Sequence, residues 1–192
     1  MRMSRFSSVL LLCVAVVFVS LIFLSQTVSA QPVPYLGLFI DETHSLHYVM
    51  LSTPLVPFEV FSWVYPSENG MVCAEFDIVY PEYLVMSGHT DNPEALIPIV
   101  PDPDGVTVCF GECRTDWVWL RSFNFLPTST GGMDFIRIVP HPISGVVQAA
   151  TCHEGNPYET FVLMNYFCIN DPACPIANES ASWGAIKTMY ED

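Results

Sequence analysis

The amino-acid sequence predicts an all-β fold, a jelly-roll-like β-sandwich of about nine short strands. Three observations lead there. Turn-forming clusters recur at roughly 8- to 12-residue intervals, and the runs between them are rich in branched and aromatic residues, which is the rhythm of a sandwich or barrel. Sixteen prolines sit in a chain with few helical periods. Six cysteines follow residue 30, an even number that suits a domain held by disulfides.

The elements follow in chain order. Met1-Arg2-Met3-Ser4-Arg5 is short and basic, and residues 9–24 are almost wholly apolar. Val28 and Ala30 then stand at the −3 and −1 positions of a small-residue cleavage site. Basic, apolar, small is the order of a secretory signal peptide over 1–30. The rival reading is an uncleaved anchor helix, because the apolar run approaches membrane length. No later run is long enough to span a bilayer, so the expected mature chain needs no membrane.

Candidate strands cover 35–40, 47–51, 58–65, 71–80, 106–111, 117–125, 134–139, 146–151 and 160–169. Pro66-Ser67-Glu68-Asn69-Gly70 reads as a hairpin loop, with Asn-Gly supplying positive φ angles. Asp102-Pro103-Asp104-Gly105 and Thr130-Gly131-Gly132 read the same way. The expected domain is 31–174. Residues 175–192 form a linker and tail, where Trp183, Ile186 and Tyr190 would share one face of a short helix capped by Ser182. That tail either docks on the sandwich or is read by an export or attachment apparatus.

In 71–80, alternation places Val72, Ala74, Phe76, Ile78 and Tyr80 on the core face and Cys73, Glu75 and Asp77 outside. In 106–111, Val106, Val108 and Phe110 face in while Thr107 and Cys109 face out. Two outward cysteines on neighbouring strands can bridge the sheet face, which pairs Cys73 with Cys109. Cys168 and Cys174 flank a turn-like loop and can close it. Cys113 and Cys152 remain, and their bridge would close a loop of about 40 residues. This is one of 15 possible pairings. A zinc reading lacks Cys-x-x-Cys pairs.

Beyond residue 30, Arg114, Arg121, Arg137 and Lys187 stand against 20 acidic residues, a net charge near −16. Such a surface repels phosphate backbones and anionic lipid, so nucleic acid is excluded as a partner.

Several constellations could carry chemistry. Trp117 and Trp119, two apart on a strand, would share a face. With Asp116 and Arg121 beside them they could stack on a glycan, or they could be core. Asp102 and Asp104, with Asp91 and Glu94 nearby in sequence, offer oxygen ligands for calcium without the EF-hand spacing. Asp41-Glu42-Thr43-His44-Ser45-Leu46-His47 gathers two carboxylates and two imidazoles that could meet zinc or copper, although no helix aligns the histidines. His141, Ser144, His153 and Glu154 lack any Gly-x-Ser-x-Gly or His-Glu-x-x-His pattern, so no enzyme and no resident cofactor is expected. Asn178-Glu179-Ser180 is a glycosylation sequon that matters only in a eukaryotic host.

Asn69-Gly70-Met71-Val72-Cys73-Ala74-Glu75-Phe76-Asp77-Ile78-Val79-Tyr80-Pro81 resembles the early strands of cohesin-like bacterial β-sandwich modules, with their G-h-x-A-x-F-x-h-x-Y pattern. Val106–Cys113, Thr115–Trp119, Ile138–Pro142 and Trp183–Lys187 are similar to stretches of a group of secreted bacterial proteins. The Asp-Pro usual after the cohesin tyrosine is missing, since Pro81 follows Tyr80 directly, and no dockerin-binding residue carries over. The resemblance implies a sandwich and no particular activity.

The expected function is therefore that of a secreted, non-enzymatic binding module for a protein or surface glycan. The alternative is a structural cell-surface protein that assembles with itself.

Overall fold

A computed structural model describes residues 33–96 and 105–173, all within the second of the chain's two units, Pro32–Asp192. Thirteen strands follow in order: β1 Tyr35–Phe39, β2 Tyr48–Val49, β3 Phe58–Tyr65, β4 Met71–Val79, β5 Leu84–Asp91, β6 Ala95–Leu96 and β7 Val106–Arg114. Then come β8 Val118–Pro127, β9 Asp134–Val139, β10 Gln148–Ala150, β11 Tyr158–Thr160, β12 Leu163–Met164 and β13 Tyr166–Ile169. Among the described residues there is no helix, and therefore none long and apolar enough to cross a membrane. The signal-peptide pattern and the tail, with Trp183, Ile186, Tyr190 and the sequon, lie outside the described residues.

One sheet runs β12-β1-β3-β8-β5. The other runs β11-β10-β4-β9-β13-β2, with β7 against β4 and β6 against β7. β9 and β10 take successive stretches of β4: Val139 to Arg137 pair with Asp77 to Val79, and Gln148 to Ala150 pair with Glu75 to Cys73. The loop 140–147 interrupts what would otherwise be one long partner strand.

Alternation builds the core. Leu36, Leu38, Val60, Val64 and Phe125 from one sheet meet Ala74, Phe76, Ile78, Val108, Ile136 and Phe167 from the other. Val106, Val108 and Phe110 face in as the pattern predicts. In β4 the inward set begins at Met71 and skips Val72, because the pairing with β7 shifts register between Met71 and Cys73. The expected strand 160–169 is split among β11, which ends at its first residue, Thr160, and β12 and β13.

Cys73 and Cys109 are register partners on the outward face and are joined, with Cα atoms 4.0 Å apart. Cys113 and Cys152 are also joined, at 5.6 Å. Cys168 is disulfide-bonded, and its expected partner, Cys174, lies outside the described residues.

Candidate functional site: a tryptophan-lined cleft on an aromatic outer face

The site begins with an unusual strand. All five residues of β1 are buried, so both of its faces are covered. Leu36 and Leu38 face the core, whereas Tyr35, Gly37 and Phe39 face outward, at 6 % exposure for Tyr35 and 3 % for Phe39. In β3, Val60, Ser62 and Val64 face in, which turns Phe61, Trp63 and Tyr65 out. Gly37 stands opposite Trp63. A Cβ on Gly37 would lie 2.6 Å from the Phe39 ring and 2.7 Å from that of Tyr35, so the two rings close over the glycine.

Trp117 covers this outer layer. It lies just before β8, in the connection from β7. Its ring centroid is 5.4 Å from Tyr65, 5.7 Å from Tyr35 and 6.4 Å from Phe39. The His44 ring stacks on it at 4.3 Å and 13° and meets Trp63 edge-on at 4.2 Å. His44 is delivered by the β1–β2 loop with φ at 54°.

The Asp41 carboxylate builds that loop. It accepts hydrogen bonds from the Thr43 hydroxyl, the Ser45 hydroxyl at 2.7 Å and the Leu46 N–H at 2.8 Å. Partial burial opposes its ionisation. The bonds from Thr43, Leu46 and Ser45 outweigh that and lower its pKa to about 2. The Asp41-to-His47 cluster is thus a folded turn: Asp41 closes it, His44 caps the tryptophans, and His47 is buried beside Tyr48.

Next to this layer opens a cleft of about 480 Å³, walled by Trp63, Trp117 and Trp119 and rimmed by Glu94, Arg114 and Asp116. Asn92 fixes its side. The Asn92 Nδ2 donates to the Trp119 carbonyl at 2.7 Å, and its Oδ1 accepts from the Glu94 N–H at 2.9 Å. Arg114 pairs with Glu94 at 2.8 Å and lies over the Phe110 ring at 4.8 Å. Asp116 Oδ1 accepts from the Trp117 N–H at 2.7 Å. The buried Trp63 Nε1 has no acceptor among the described residues.

Of the residues expected to form a glycan site, Trp117, Trp119 and Asp116 meet in this cleft, and Arg121 does not. β8 carries a bulge. Ser62 pairs with Arg121 but Trp63 pairs with Trp119, so Leu120 has no counterpart. The extra residue swings Arg121 onto the inward side, where it is 6 % exposed and its Nε meets Asp91 Oδ1 at 2.5 Å. The Ser62 hydroxyl donates to the Arg121 carbonyl at 2.9 Å and accepts from its N–H at 3.2 Å.

The other candidates are dispersed. Asp102 and Asp104 lie outside the described residues, and Asp91 and Glu94 are held by Arg121 and Arg114. His141 is a buried turn residue: Nδ1 accepts from the Ile143 N–H at 3.2 Å, which leaves Nε2 facing Thr107 Oγ1 at 3.3 Å. The Ser144 hydroxyl turns toward the Val146 carbonyl, and His153 Nε2 meets Asn69 Oδ1 at 2.6 Å. Sequence reasoning missed Trp63, His44 as a cap, Asn92 and Arg114. The available signal was β3 itself, where Phe61, Trp63 and Tyr65 oppose Val60 and Val64 and so announce a strand covered on both faces.

No protein-family model matches the chain, and no curated protein does. Solved structures do. A cohesin module from a Clostridium perfringens family 33 glycoside hydrolase superposes with a TM-score of 0.52 at 12 % identity, over 71 % of this chain and 95 % of its own. The seventh ScaB type I cohesin of Pseudobacteroides cellulosolvens gives 0.49 at 11 % identity, over 78 % and 99 %. The likeness to the first defines the class of fold: the chain is a cohesin-like β-sandwich.

Proposed function

We propose that this chain is an exported, non-enzymatic binding module that recognises a protein partner at the Trp63–Trp117–Trp119 cleft. The observation that carries the reading is the cleft itself, an aromatic-walled opening with a polar rim on an otherwise strongly acidic surface. A sugar platform needs an open indole face. His44 is stacked on Trp117, and Tyr35, Phe39 and Tyr65 crowd its other sides. What remains accessible suits side chains of a protein that bring several anchors at once. Net charge selects a partner with a basic contact surface. Export is supported by the leader pattern of residues 1–30 and by disulfides that need an oxidising compartment.

The test is chemical cross-linking of the mature domain in its host culture, beside Trp119→Ala and Asp116→Ala variants of unchanged melting temperature. A protein adduct that both variants lose, together with silence on a glycan array, is the expected result. An array signal that the same variants abolish would replace the protein by a glycan. Concentration-dependent assembly in sedimentation, unaffected by either variant, would favour the structural reading.

A further inference from the structure

Two disulfides have both partners described, and they hold the chain differently. Cys73 and Cys109 are half-buried register partners that open a continuous stretch of ladder, followed by Ala74–Val108, Glu75–Thr107 and Phe76–Val106. That ladder keeps its register without the bond. Cys113 has no such support. The pairing of β4 with β7 jumps from Cys73–Cys109 to Met71–Arg114, so Phe110 to Cys113 stand against Val72 alone. Cys113 is tied instead to Cys152, whose N–H donates to the Asn69 carbonyl at 3.1 Å. Cys113 is exposed and Cys152 half-buried.

This second bond borders the tryptophan cleft. Residues 113–119 form one continuous length of its lining, starting at Cys113 itself. The far end of that length is fixed by Trp117 among Tyr35, Phe39 and Tyr65. The near end is fixed by Cys113–Cys152 and by Arg114, which reaches Glu94 at 2.8 Å. Glu94 is 64 % exposed, so that ion pair alone holds little.

From this placement we propose that Cys113–Cys152 is a thiol-reducible clasp that sets the shape of the cleft and makes partner binding there redox-dependent; the inference rests on the cleft being the binding site. The reductant is a dithiol. One of its thiolates attacks the exposed Cys113 sulfur, the S–S bond breaks, and Cys152 leaves as a thiolate. The second thiol then displaces Cys113 from the mixed disulfide. Two electrons pass to the cysteine pair, the reductant's two thiol protons end on Cys113 and Cys152, and the reductant becomes a disulfide. The freed wall shifts at Cys113 and Arg114 while Trp117 stays packed.

The experiment treats the full mature chain with dithiothreitol under native conditions, trapping free thiols with iodoacetamide and mapping them by mass. Of the four cysteines, Cys113 and Cys152 should be alkylated first, several-fold faster than Cys73 and Cys109. At that stage the Trp63 and Trp119 indole N–H resonances, assigned through Trp63→Phe and Trp119→Phe, should shift while the melting transition stays cooperative. Cys113→Ser/Cys152→Ser should show the shifted resonances without reductant, and Cys73→Ala/Cys109→Ala should keep the wild-type response. Should the double-serine chain not fold, the wild-type trapping series decides alone. Release of all four cysteines in one step overturns the clasp, as do indole resonances that ignore the opened bond. Cross-linking separates the clasp from the binding site. An adduct equally strong in oxidised and opened chains, and lost in Trp119→Ala, overturns the redox dependence and leaves the site standing. An oxidised chain that forms no adduct overturns the site, and the redox-dependent binding with it.

Discussion

Gly70 closes the β3–β4 hairpin at φ 65°, with its N–H donating to the Ser67 carbonyl at 3.0 Å. A Cβ there would lie 2.5 Å from the Cys113 sulfur and 2.7 Å from that of Cys152. Gly70→Ala should therefore cost more than the left-handed backbone alone does, about 2–3 kcal/mol in urea unfolding. Arg121 makes the opposite point, a charge drawn inward with Asp91 as its counter-ion. Arg121→Met should destabilise by about 2–3 kcal/mol by stranding the Asp91 carboxylate, and Asp91→Asn in the same background should recover part of the loss. Arg121 was misplaced by a strict reading of alternation from Trp117 through Trp119. The signal for the bulge is present in the residues: apolar parity runs Val118, Leu120 and then Phe123, Phe125, which switches face midway.

Elements with a strong period were legible, and those without one were not. β4 from Cys73 onward and β7 carry clean alternation, and the Cys73–Cys109 argument rests on that stretch. β5 escaped because it is an edge strand: Ser87, Gly88, His89 and Thr90 are polar or flexible, and a bulge sits between Met86 and Gly88. The β1–β2 loop read as a metal candidate because a carboxylate that folds its own turn and one that waits for an ion look alike in sequence. This loop is also where pH should act. The folded pKa of Asp41 lies below its unfolded value, 3.8, so the stabilisation is full above about pH 4 and is lost as pH falls toward 2. Acid titration should release the His44 cap, seen as a change in tryptophan emission over pH 4 to 2. In Asp41→Asn that change should be absent and the emission already altered at pH 7.

At the scale of the molecule, two described disulfides close consecutive loops, with sequence separations of 36 and 39. Because the loops do not overlap, their entropic contributions add, at about 4 kcal/mol each in the chain-entropy model. Reduction under native conditions should lower the urea midpoint sharply, and Cys73→Ala/Cys109→Ala should account for less than half the shift, because the bond at Cys168 is reduced as well. The net charge near −16 of the residues beyond 30 adds self-repulsion, so moderate salt should raise the melting temperature. Fold class was readable because it is a property of period and punctuation. The cleft was only partly readable: it joins β3 to the β7–β8 connection and the β5–β6 turn, and no local pattern records that those three segments meet.

The interruption between β9 and β10 gives protein engineers a permissive port. Loop 140–147 is tied at its base by the His141 N–H to the Val146 carbonyl at 3.0 Å and by the Gly145 N–H to the His141 carbonyl at 2.8 Å, while Ile143 at its tip is 80 % exposed. The strands on either side are each anchored to β4 independently of the loop's length. Cargo spliced between Ile143 and Ser144 need only return to its own starting point, a cost that grows by about 0.6 kcal/mol for each doubling of length. An epitope or fluorophore-binding peptide carried there should leave the domain folded and the tryptophan cleft untouched.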